Sequence, residues 1–375
     1  MDNSLTSDAG RPVLGLETSA PRQRSSTGEL LRLVAMLMIV VHHFCVHALY
    51  PDMKSLAITS SPWTEQVALL LQCFVFIGVN CFVMLSGWYG IHLKARSVVN
   101  LWTICLFYAL VRWAEKAVYH LHDGVNVFGW EYISPVLLPF SHTPMWYIPC
   151  YVVLLLLSPL LNSAIGSFSR RRYEWVLVLA TVVNIWFGYG CAMDNINDDG
   201  FTAAQFVWLY LIGGYLRRYC GREWLHRHRQ HCLWVYVGCS LLWGALSIWE
   251  AYCPGIPLWM PFTYNNPLVM GASVGFFLFA QSFTIRSKVV NWLAVSTLAV
   301  YLVQEGIFRY RWLPAALDGC SPTVQLLLLL PISVVFMLVV LLADKGRLLL
   351  MRPFWKLYDA HIEPRLNAVI RRIGV

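Results

Sequence analysis

One apolar stretch near the N-terminus, residues 29–50 (ELLRLVAMLMIVVHHFCVHALY), most constrains how this chain can fold. It has the length that a helix needs to cross a bilayer, which is about 20 residues. Five ionisable side chains nevertheless interrupt it: Glu29, Arg32, His42, His43 and His47. Such groups are costly at membrane depth and usually mark functional sites. The stretch therefore predicts a first membrane-spanning helix that carries part of a site.

Helical geometry places some of these side chains on one face. Each residue turns a helix by about 100°, so the steps from Arg32 to His43 make about three turns and about 16 Å of rise. Glu29 and His47 extend this face at i−3 and i+4 spacing, whereas His42 projects about 100° away from it. A lone histidine in a bundle is often only a packed, hydrogen-bonded residue. The in-phase pair Arg32 and His43 therefore carries the functional prediction.

The composition assigns the whole chain to the membrane. Of its 375 residues, 58% are hydrophobic and only 13% are charged, and the mean hydropathy is +0.56. Soluble domains carry about 25% charged residues. We therefore predict an all-α integral membrane protein of about ten transmembrane helices. The predicted spans are residues 30–50, 66–90, 97–114, 144–163, 173–193, 201–219, 231–250, 265–285, 289–308 and 322–343.

Three regions follow from this division. Residues 1–28 are polar and rich in Ser, Thr, Gly and Pro, so we expect a disordered cytoplasmic tail. Residues 29–343 would form the ten-span domain. Residues 344–375 alternate basic and apolar side chains, which is typical of an amphipathic helix on an anionic inner leaflet. We expect membrane lipids as neighbours and no nucleic acid as a partner.

The placement of basic residues indicates the orientation. If both termini are cytoplasmic, 23 of the 28 Lys and Arg residues fall in inner segments and the other five in outer ones. Basic residues concentrate in cytoplasmic loops, so the net charge of +8 reflects topology. The acidic loop that contains Asp194, Asp198 and Asp199 then lies outside. The prediction is a multi-pass protein of the plasma (inner) membrane with cytoplasmic N- and C-termini.

Polar residues in later spans add candidates for a site. Asn80 lies in the second span, and Lys94 and Arg96 follow on its cytoplasmic side, although helix packing and topology also explain residues of these types. Glu305 lies inside the ninth span, where a carboxylate must be paired or protonated. An arginine or histidine of the bundle would pair with it, and Arg309 is the local candidate.

The start of the fourth span contributes an aromatic and a basic candidate. His142 and Trp146 fall at its predicted outer mouth, where either could contact a substrate. An aromatic belt at the membrane interface also explains Trp146. The eleven cysteines show no CxxC pair and no spacing typical of a zinc site, so we predict no metal.

Taken in order, several motifs resemble the acyltransferase-three family of integral-membrane acyltransferases. Arg32, ten residues and then His43 are similar to the signature of its first span, and GVNCFVMLSGWYG before Lys94 and Arg96 is similar to its second. PMWYIPCYVVLLLLSPLLN, FVWLYLIGGYLRRY and STLAVYLVQEG also resemble family segments. The resemblance covers about residues 29–343. The chain has Gln304 where members often have His, and Lys94-Ala95-Arg96 where they have a paired-arginine motif.

The resemblance implies transfer of an acyl group, usually acetyl, from a cytoplasmic acyl-CoA to a hydroxyl of a cell-envelope glycan or lipid-linked sugar. The catalytic residues of the family correspond to Arg32, His43 and Glu305. Residue chemistry fits this role, because an imidazole with a pKa near 7 is suited to act as general base. We expect Arg32, Lys94 and Arg96 to bind the acyl-CoA. The residues expected to contact the acceptor are His47, Asn80, His142 and Trp146.

Two other function classes compete with this hypothesis. A proton-coupled transporter of a small solute or envelope precursor would use the intramembrane Arg, His and Glu as a proton relay. Transporters often contain inverted repeats, and the two halves of this chain show no convincing repeat. A non-catalytic membrane scaffold would leave the in-phase Arg32 and His43 without an explanation.

Overall fold

The structure is a computed structural model that describes residues 25–51, 62–120, 124–188, 197–253, 262–306 and 312–366. The secondary structure elements in these ranges are all helices or helical turns, which confirms the predicted all-α class. The α-helices are α1 (Ser26–Phe44), α2 (Pro62–Val75), α3 (Gly78–Tyr89), α4 (Ala95–Tyr119), α5 (Trp130–Leu137), α6 (Tyr147–Ser167), α7 (Arg170–Thr181), α8 (Ala203–Tyr219), α9 (Arg222–Tyr252), α10 (Pro267–Gln281), α11 (Lys288–Ala294), α12 (Thr297–Gly306), α13 (Trp312–Ala316), α14 (Pro322–Leu350) and α15 (Arg352–Leu357).

Within the described ranges, six helical segments are long and apolar enough to cross a membrane. They are Ser26–Leu49, Trp63–Tyr89, Ala95–Tyr119, Tyr147–Ser167, Arg222–Glu250 and Pro322–Leu350. The other four predicted spans correspond to shorter helices, such as α8 with 17 residues and α10 with 15. At 1.5 Å per residue, 17 residues rise about 25 Å, which is less than the ~30 Å hydrocarbon core. The protein is multi-pass, and ten spans stay a prediction.

Helix α1 lies at the centre of the fold. It contacts α2, α3, α10, α11, α12 and α14. Ala35, Val40 and Cys45 are each 0% exposed, although they point in different directions around the helix. A helix with buried apolar residues on several sides is expected to be surrounded by other helices. This position makes α1 the scaffold on which residues from distant parts of the chain converge.

Close helix crossings hold this bundle together. A Cβ atom added to Gly87 of α3 would lie 2.1 Å from the carbonyl oxygen of Tyr210, and one added to Gly213 of α8 would lie 2.2 Å from that of Met84. Both positions therefore admit only glycine, and the backbones of α3 and α8 approach each other directly. Small residues serve this purpose in membrane helices. The glycines of the second and sixth predicted spans thus have a packing role.

The C-terminal helices dock onto α4. Helix α14 continues to Leu350, past the predicted boundary at residue 343, and contains a buried ion pair in which Arg347 Nε donates to Asp344 Oδ1 over 2.6 Å. Tyr108 Oη of α4 donates to the same carboxylate over 2.7 Å. The Arg347 guanidinium and the Tyr108 hydroxyl thus both donate hydrogen bonds to the buried Asp344 carboxylate. The contact joins the end of the bundle to α4 before α15 begins.

Several predicted features lie outside the described residues. These are the N-terminal tail before residue 25, the last nine residues of the C-terminal tail, Asp194 and Arg309. Asp198 and Asp199 are described and form a 3₁₀ turn, Asp198–Gly200, ahead of α8.

Candidate active site

The last turn of α1 meets the C-terminal part of α12 through a histidine and a carboxylate. His43 Nδ1 lies 3.0 Å from Glu305 Oε1, and the two side chains are 10% and 21% exposed. A carboxylate at one imidazole nitrogen orients the ring and stabilises its cation, while the other nitrogen faces away and can exchange a proton. Two groups with the chemistry of a general base and its supporting acid are therefore adjacent.

The neighbouring histidine has a different environment. His42 Nδ1 lies 2.7 Å from Gln72 Oε1 of α2, and its ring packs edge-on against Phe76 with the centroids 5.0 Å apart. Both histidines are buried, but they contact different helices. This divergence follows from their 100° separation on α1. The geometry of His42 is that of a hydrogen-bonded core residue.

The end of α1 widens into a π-helical turn, Cys45–Leu49. It carries His47, whose ring centroid lies 5.3 Å from that of His43 and which is exposed. Turns of this kind occur frequently at functional sites. His47 therefore lies next to His43 on the more accessible side of the pair.

A large cavity lies at the opposite end of α1, where the helix begins. Its volume is about 1630 Å³, and its walls come from the start of α1, the end of α3, the turn between α8 and α9, and the segment between α10 and α11. Two carboxylates and several cationic side chains line it. The lysine and arginines are Arg32, Lys94, Arg217, Arg222, Arg227 and Arg286. This excess of positive charge favours an anionic ligand.

Arg32 connects the cavity with the interior of the bundle. Its guanidinium lies 2.5 Å from Glu29 Oε2, and the side chain of Arg32 is one-third exposed. Both residues line the cavity, whereas His43 does not. The rise along α1 places His43 about 16 Å deeper. The cavity and the His43–Glu305 pair therefore lie at two levels along one helix.

Lys94 and Arg96 lie on either side of the first residue of α4 but have different surroundings. Lys94 is the extended residue that precedes the helix, and it lines the cavity. Arg96 is not among the cavity residues. It hydrogen-bonds Asp359 and Glu363, the latter over 3.0 Å, and its guanidinium lies 5.2 Å from the centroid of the Trp355 ring.

These two regions lie in a chain segment that a family of enzymes shares. The family model for acyltransferase family 3, described as an acyltransferase domain, matches residues 29–342. The chain belongs to the acyltransferase-3 family. It is therefore a multi-pass membrane acyltransferase, as its sequence motifs predict. Neither a search of curated proteins nor a search of solved structures found a match.

The remaining predicted residues of this acyltransferase lie in three different settings. Asn80 is fully buried, and its Nδ2 donates to the Tyr264 carbonyl oxygen over 3.0 Å and to Ser273 Oγ over 3.1 Å. His142 is exposed and bonds its neighbour Ser141. Trp146 is half-buried, with its ring 5.6 Å from that of Tyr264. Asn80 thus holds helices together, and Trp146 lies near the interior.

Tyr264 connects Trp146 with the histidine region. Its ring stacks on Phe76 at 4.5 Å, and Phe76 contacts His42. Tyr264 is also within electrostatic range of the Glu305 carboxylate. The His43–Glu305 pair of the acyltransferase is therefore bordered by aromatic side chains that extend to Trp146. No such chain of contacts connects His142 to the pair within the described residues.

The sequence did not identify several residues in and around the site. Gln72, which contacts His42, and Tyr301, one turn before Glu305 on α12, sit in apolar runs where nothing in the local pattern distinguishes them. In the sequence, the arginines near the α8–α9 turn indicate topology, whereas in the structure Arg217, Arg222 and Arg227 line the cavity. Their clustering on both sides of the two-residue turn between Tyr219 and Arg222 could have indicated an anion site. Within the described ranges, no group of three or more metal-binding side chains comes together.

Proposed function

We propose that this acyltransferase moves an acyl group, usually acetyl, from cytoplasmic acyl-CoA to a hydroxyl of a cell-envelope glycan or lipid-linked sugar. His43 acts as the general base. The observation that carries this proposal is the 3.0 Å separation of His43 Nδ1 and Glu305 Oε1 inside a membrane bundle. A positioned base typically contributes 10²–10⁴-fold to the rate of such a proton transfer.

The two ring nitrogens of His43 have different roles in the proposed reaction. Nδ1 faces Glu305, so Nε2 takes the proton of the acceptor hydroxyl as its oxygen attacks the thioester carbonyl carbon. The carbon–sulfur bond then breaks, and the departing thiolate of CoA receives the proton from the imidazolium. Glu305 keeps the ring oriented and stabilises its transient positive charge. The products are an O-acyl ester and free CoA.

The cationic cavity supports acyl-CoA as the donor. Its phosphates would bind the arginines and Lys94, and Arg32 at the inner end would direct the extended thiol arm along α1 toward His43. Arginine is suited to this because its planar fork matches phosphate oxygens. The arm has to cover the ~16 Å of rise between Arg32 and His43.

The cavity also contains a thiol that must not take the acyl group. Burial, and to a smaller extent the nearby Cys232 thiol, raises the pKa of Cys220. Cys220 lines the cavity. A raised pKa keeps the sulfur protonated at neutral pH, and the thiol is a much weaker nucleophile than the thiolate. Acyl-CoA can therefore occupy the cavity without acylating Cys220.

The orientation predicted from the basic residues places this cavity in the cytoplasm, where acyl-CoA is made. Both termini would be cytoplasmic, and ten spans in the plasma membrane would bring His43 toward the outer half of the bilayer. The acceptor would then approach from the outer side. Trp146 offers a ring on which a sugar can stack, and His47 and His142 offer polar contacts nearer the surface.

A turnover assay tests this proposal. The protein, purified in lipid nanodiscs, is incubated with radiolabelled acetyl-CoA with and without envelope glycan, and both free CoA and label on the glycan are measured. We expect CoA release that depends on the glycan and transfers label to it. Without such transfer the proposal is wrong. Proton-driven solute uptake by proteoliposomes, with no consumption of acetyl-CoA, would instead support the transporter alternative.

A further inference from the structure

A tyrosine one helical turn from Glu305 has an unusual environment. Tyr301 and Glu305 are four residues apart on α12 and so share one face. Tyr301 is 6% exposed. Its hydroxyl is buried and, among the described residues, no acceptor lies at hydrogen-bonding geometry to receive its proton. A buried O–H without an acceptor requires an explanation, because burial removes the water that would otherwise accept its proton.

Comparison with three other tyrosines of the helical bundle sharpens the point. Tyr236 Oη donates to the Phe74 carbonyl oxygen over 2.9 Å, and Tyr173 Oη donates to that of Leu211 over 2.7 Å. Tyr210 Oη donates to Asn162 Oδ1 over 2.7 Å. These tyrosines tie helices together in the ordinary way. The hydroxyl of Tyr301 does not have this function.

The surroundings of the hydroxyl direct it toward the reacting groups. It interacts electrostatically with the Glu305 carboxylate, and the backbone amide of Tyr147 approaches its oxygen. Tyr147 is the first residue of α6, where backbone N–H groups have no partner inside the helix. The two tyrosine rings pack together with centroids 5.7 Å apart. A phenol O–H and a helix-start N–H thus meet beside the His43–Glu305 pair.

We propose that the Tyr301 hydroxyl is a catalytic hydrogen-bond donor to the carbonyl oxygen of the acyl thioester. This inference rests on the proposed acyl transfer. When the acceptor oxygen attacks the carbonyl carbon, the carbon–oxygen double bond becomes a single bond and its oxygen gains negative charge. The phenol donates a hydrogen bond to this oxygen and keeps its own proton throughout. Expulsion of the CoA sulfur restores the double bond, while His43 carries the transferred proton.

The lack of an acceptor for the O–H explains why the hydroxyl can stabilise the transition state. A donor that is already bonded to an acceptor inside the protein would have to break that bond first. A donor held in place without an acceptor loses nothing when the charged oxygen forms, and it acts where water is excluded. Removal of one such donor typically lowers kcat by 10²–10³-fold.

The test compares Tyr301→Phe with Tyr236→Phe in the nanodisc assay, with kcat and KM for acetyl-CoA and the melting temperature measured for each protein. Both changes remove one hydroxyl and keep the ring. We expect Tyr301→Phe to lower kcat about 10²-fold, to leave KM within about threefold and to keep or raise the melting temperature. Tyr236→Phe loses a satisfied hydrogen bond, so we expect a lower melting temperature and an unchanged kcat.

Three results would overturn the inference. These are an unchanged kcat in Tyr301→Phe, a raised KM at constant kcat, and a fall in kcat matched by a fall in melting temperature like that of Tyr236→Phe. The last would assign a packing role to the hydroxyl. If the unmodified protein releases no CoA, the proposed function itself fails, which is a distinct result seen before any variant is made.

Discussion

The imidazole of His43 and the carboxylate of Glu305 approach within 3.0 Å although 261 residues lie between them in the sequence. One belongs to the central helix α1 and the other to α12, so their pairing depends on the packing of the bundle. Neither group alone has a defined chemical role at membrane depth. Together they have the arrangement of an oriented base, and substitutions of these residues and of the cavity residues test the proposed role.

The adjacent histidines are expected to respond differently to substitution. His43→Ala should lower acyl transfer at least 10²-fold, because it removes the general base. His42→Ala should leave most of the activity but lower the free energy of unfolding by about 1–3 kcal/mol, because the buried Gln72 amide loses its partner. Acetyl-CoA turnover, normalised to the amount of protein in the membrane, and thermal unfolding measure the two effects. The reverse pattern would mean that the wrong face of α1 carries the base.

Glu305→Gln tests the support that the carboxylate gives to His43. The amide keeps the size of the side chain but cannot stabilise an imidazolium, so we expect turnover to fall on the order of 10²-fold with KM for acetyl-CoA little changed. The protein should still fold and insert, which size-exclusion chromatography in detergent checks. Full activity in this variant would show that the ion pair is structural only.

Arg32→Lys tests whether the cavity needs a planar cation at its inner end. A lysine keeps the charge but loses bidentate geometry, both toward phosphate or carbonyl oxygens and toward Glu29. We expect kcat/KM for acetyl-CoA to fall about 10-fold or more, since charge-assisted hydrogen bonds contribute about 1.5–3 kcal/mol.

The matched control for Arg32 is Arg170→Lys. Arg170 forms an exposed ion pair with Glu174 at the start of α7, outside the cavity. Exposed pairs contribute little, so its kinetics should match those of the unmodified protein. Equal kinetics for both variants would argue against a specific contact by Arg32.

Lys94 and Arg96 give a charge-matched test of the donor site. Lys94→Gln should raise KM for acetyl-CoA about fivefold, because it removes a cation from the cavity wall. Arg96→Gln removes the same charge two residues away but breaks contacts with Asp359 and Glu363 instead, so KM should stay within about twofold. Steady-state kinetics at fixed ionic strength make the comparison. An equal rise in KM for both would place Arg96 in the donor site, as the spacing of the motif predicts.

Thiol labelling locates the donor without relying on activity. In a cysteine-depleted protein that keeps only Cys220, acetyl-CoA should slow maleimide labelling, because both occupy the same cavity. Because the pKa of Cys220 is raised, a smaller fraction of this thiol is ionised at neutral pH. The rate of labelling should therefore increase only above the ordinary thiol pKa of about 8.5. A protein that keeps only the exposed Cys253 is the control and should show no protection. Equal protection of both would exclude the cavity as the donor site.

The topology has its own measurement. If both termini are cytoplasmic, a cysteine placed at Asp198 in a cysteine-depleted protein should react with an impermeant reagent added outside the cell. The basic residues of the chain predict this orientation. Labelling of that position only after the cytoplasmic side is opened would contradict the ten-span arrangement.

The sequence by itself determined the directions in which side chains project from a helix, because these directions depend only on the local helical geometry. The turn of 100° per residue separates His42 from His43 whatever surrounds the helix, and the two side chains indeed meet different helices. Hydropathy likewise predicted an all-helical membrane protein, since it indicates whether each segment is suited to lipid or to water. It did not establish the span count, because the hydropathy of a segment does not reveal that α11 and α12 are separate helices, broken between Ala294 and Thr297.

Only the tertiary structure decided which partner each polar residue meets. The carboxylate of Glu305 had a local candidate in Arg309 and a distant one in His43, and the packing of α12 against α1 brings it to His43. Lys94 and Arg96 look equivalent in sequence, yet one precedes α4 in extended conformation and the other faces the C-terminal helices. Tyr301 shows no local signal at all, because the lack of an acceptor for its O–H is a property of the surrounding helices. Contacts between residues far apart in the chain arise from packing, and no periodicity within one segment encodes them.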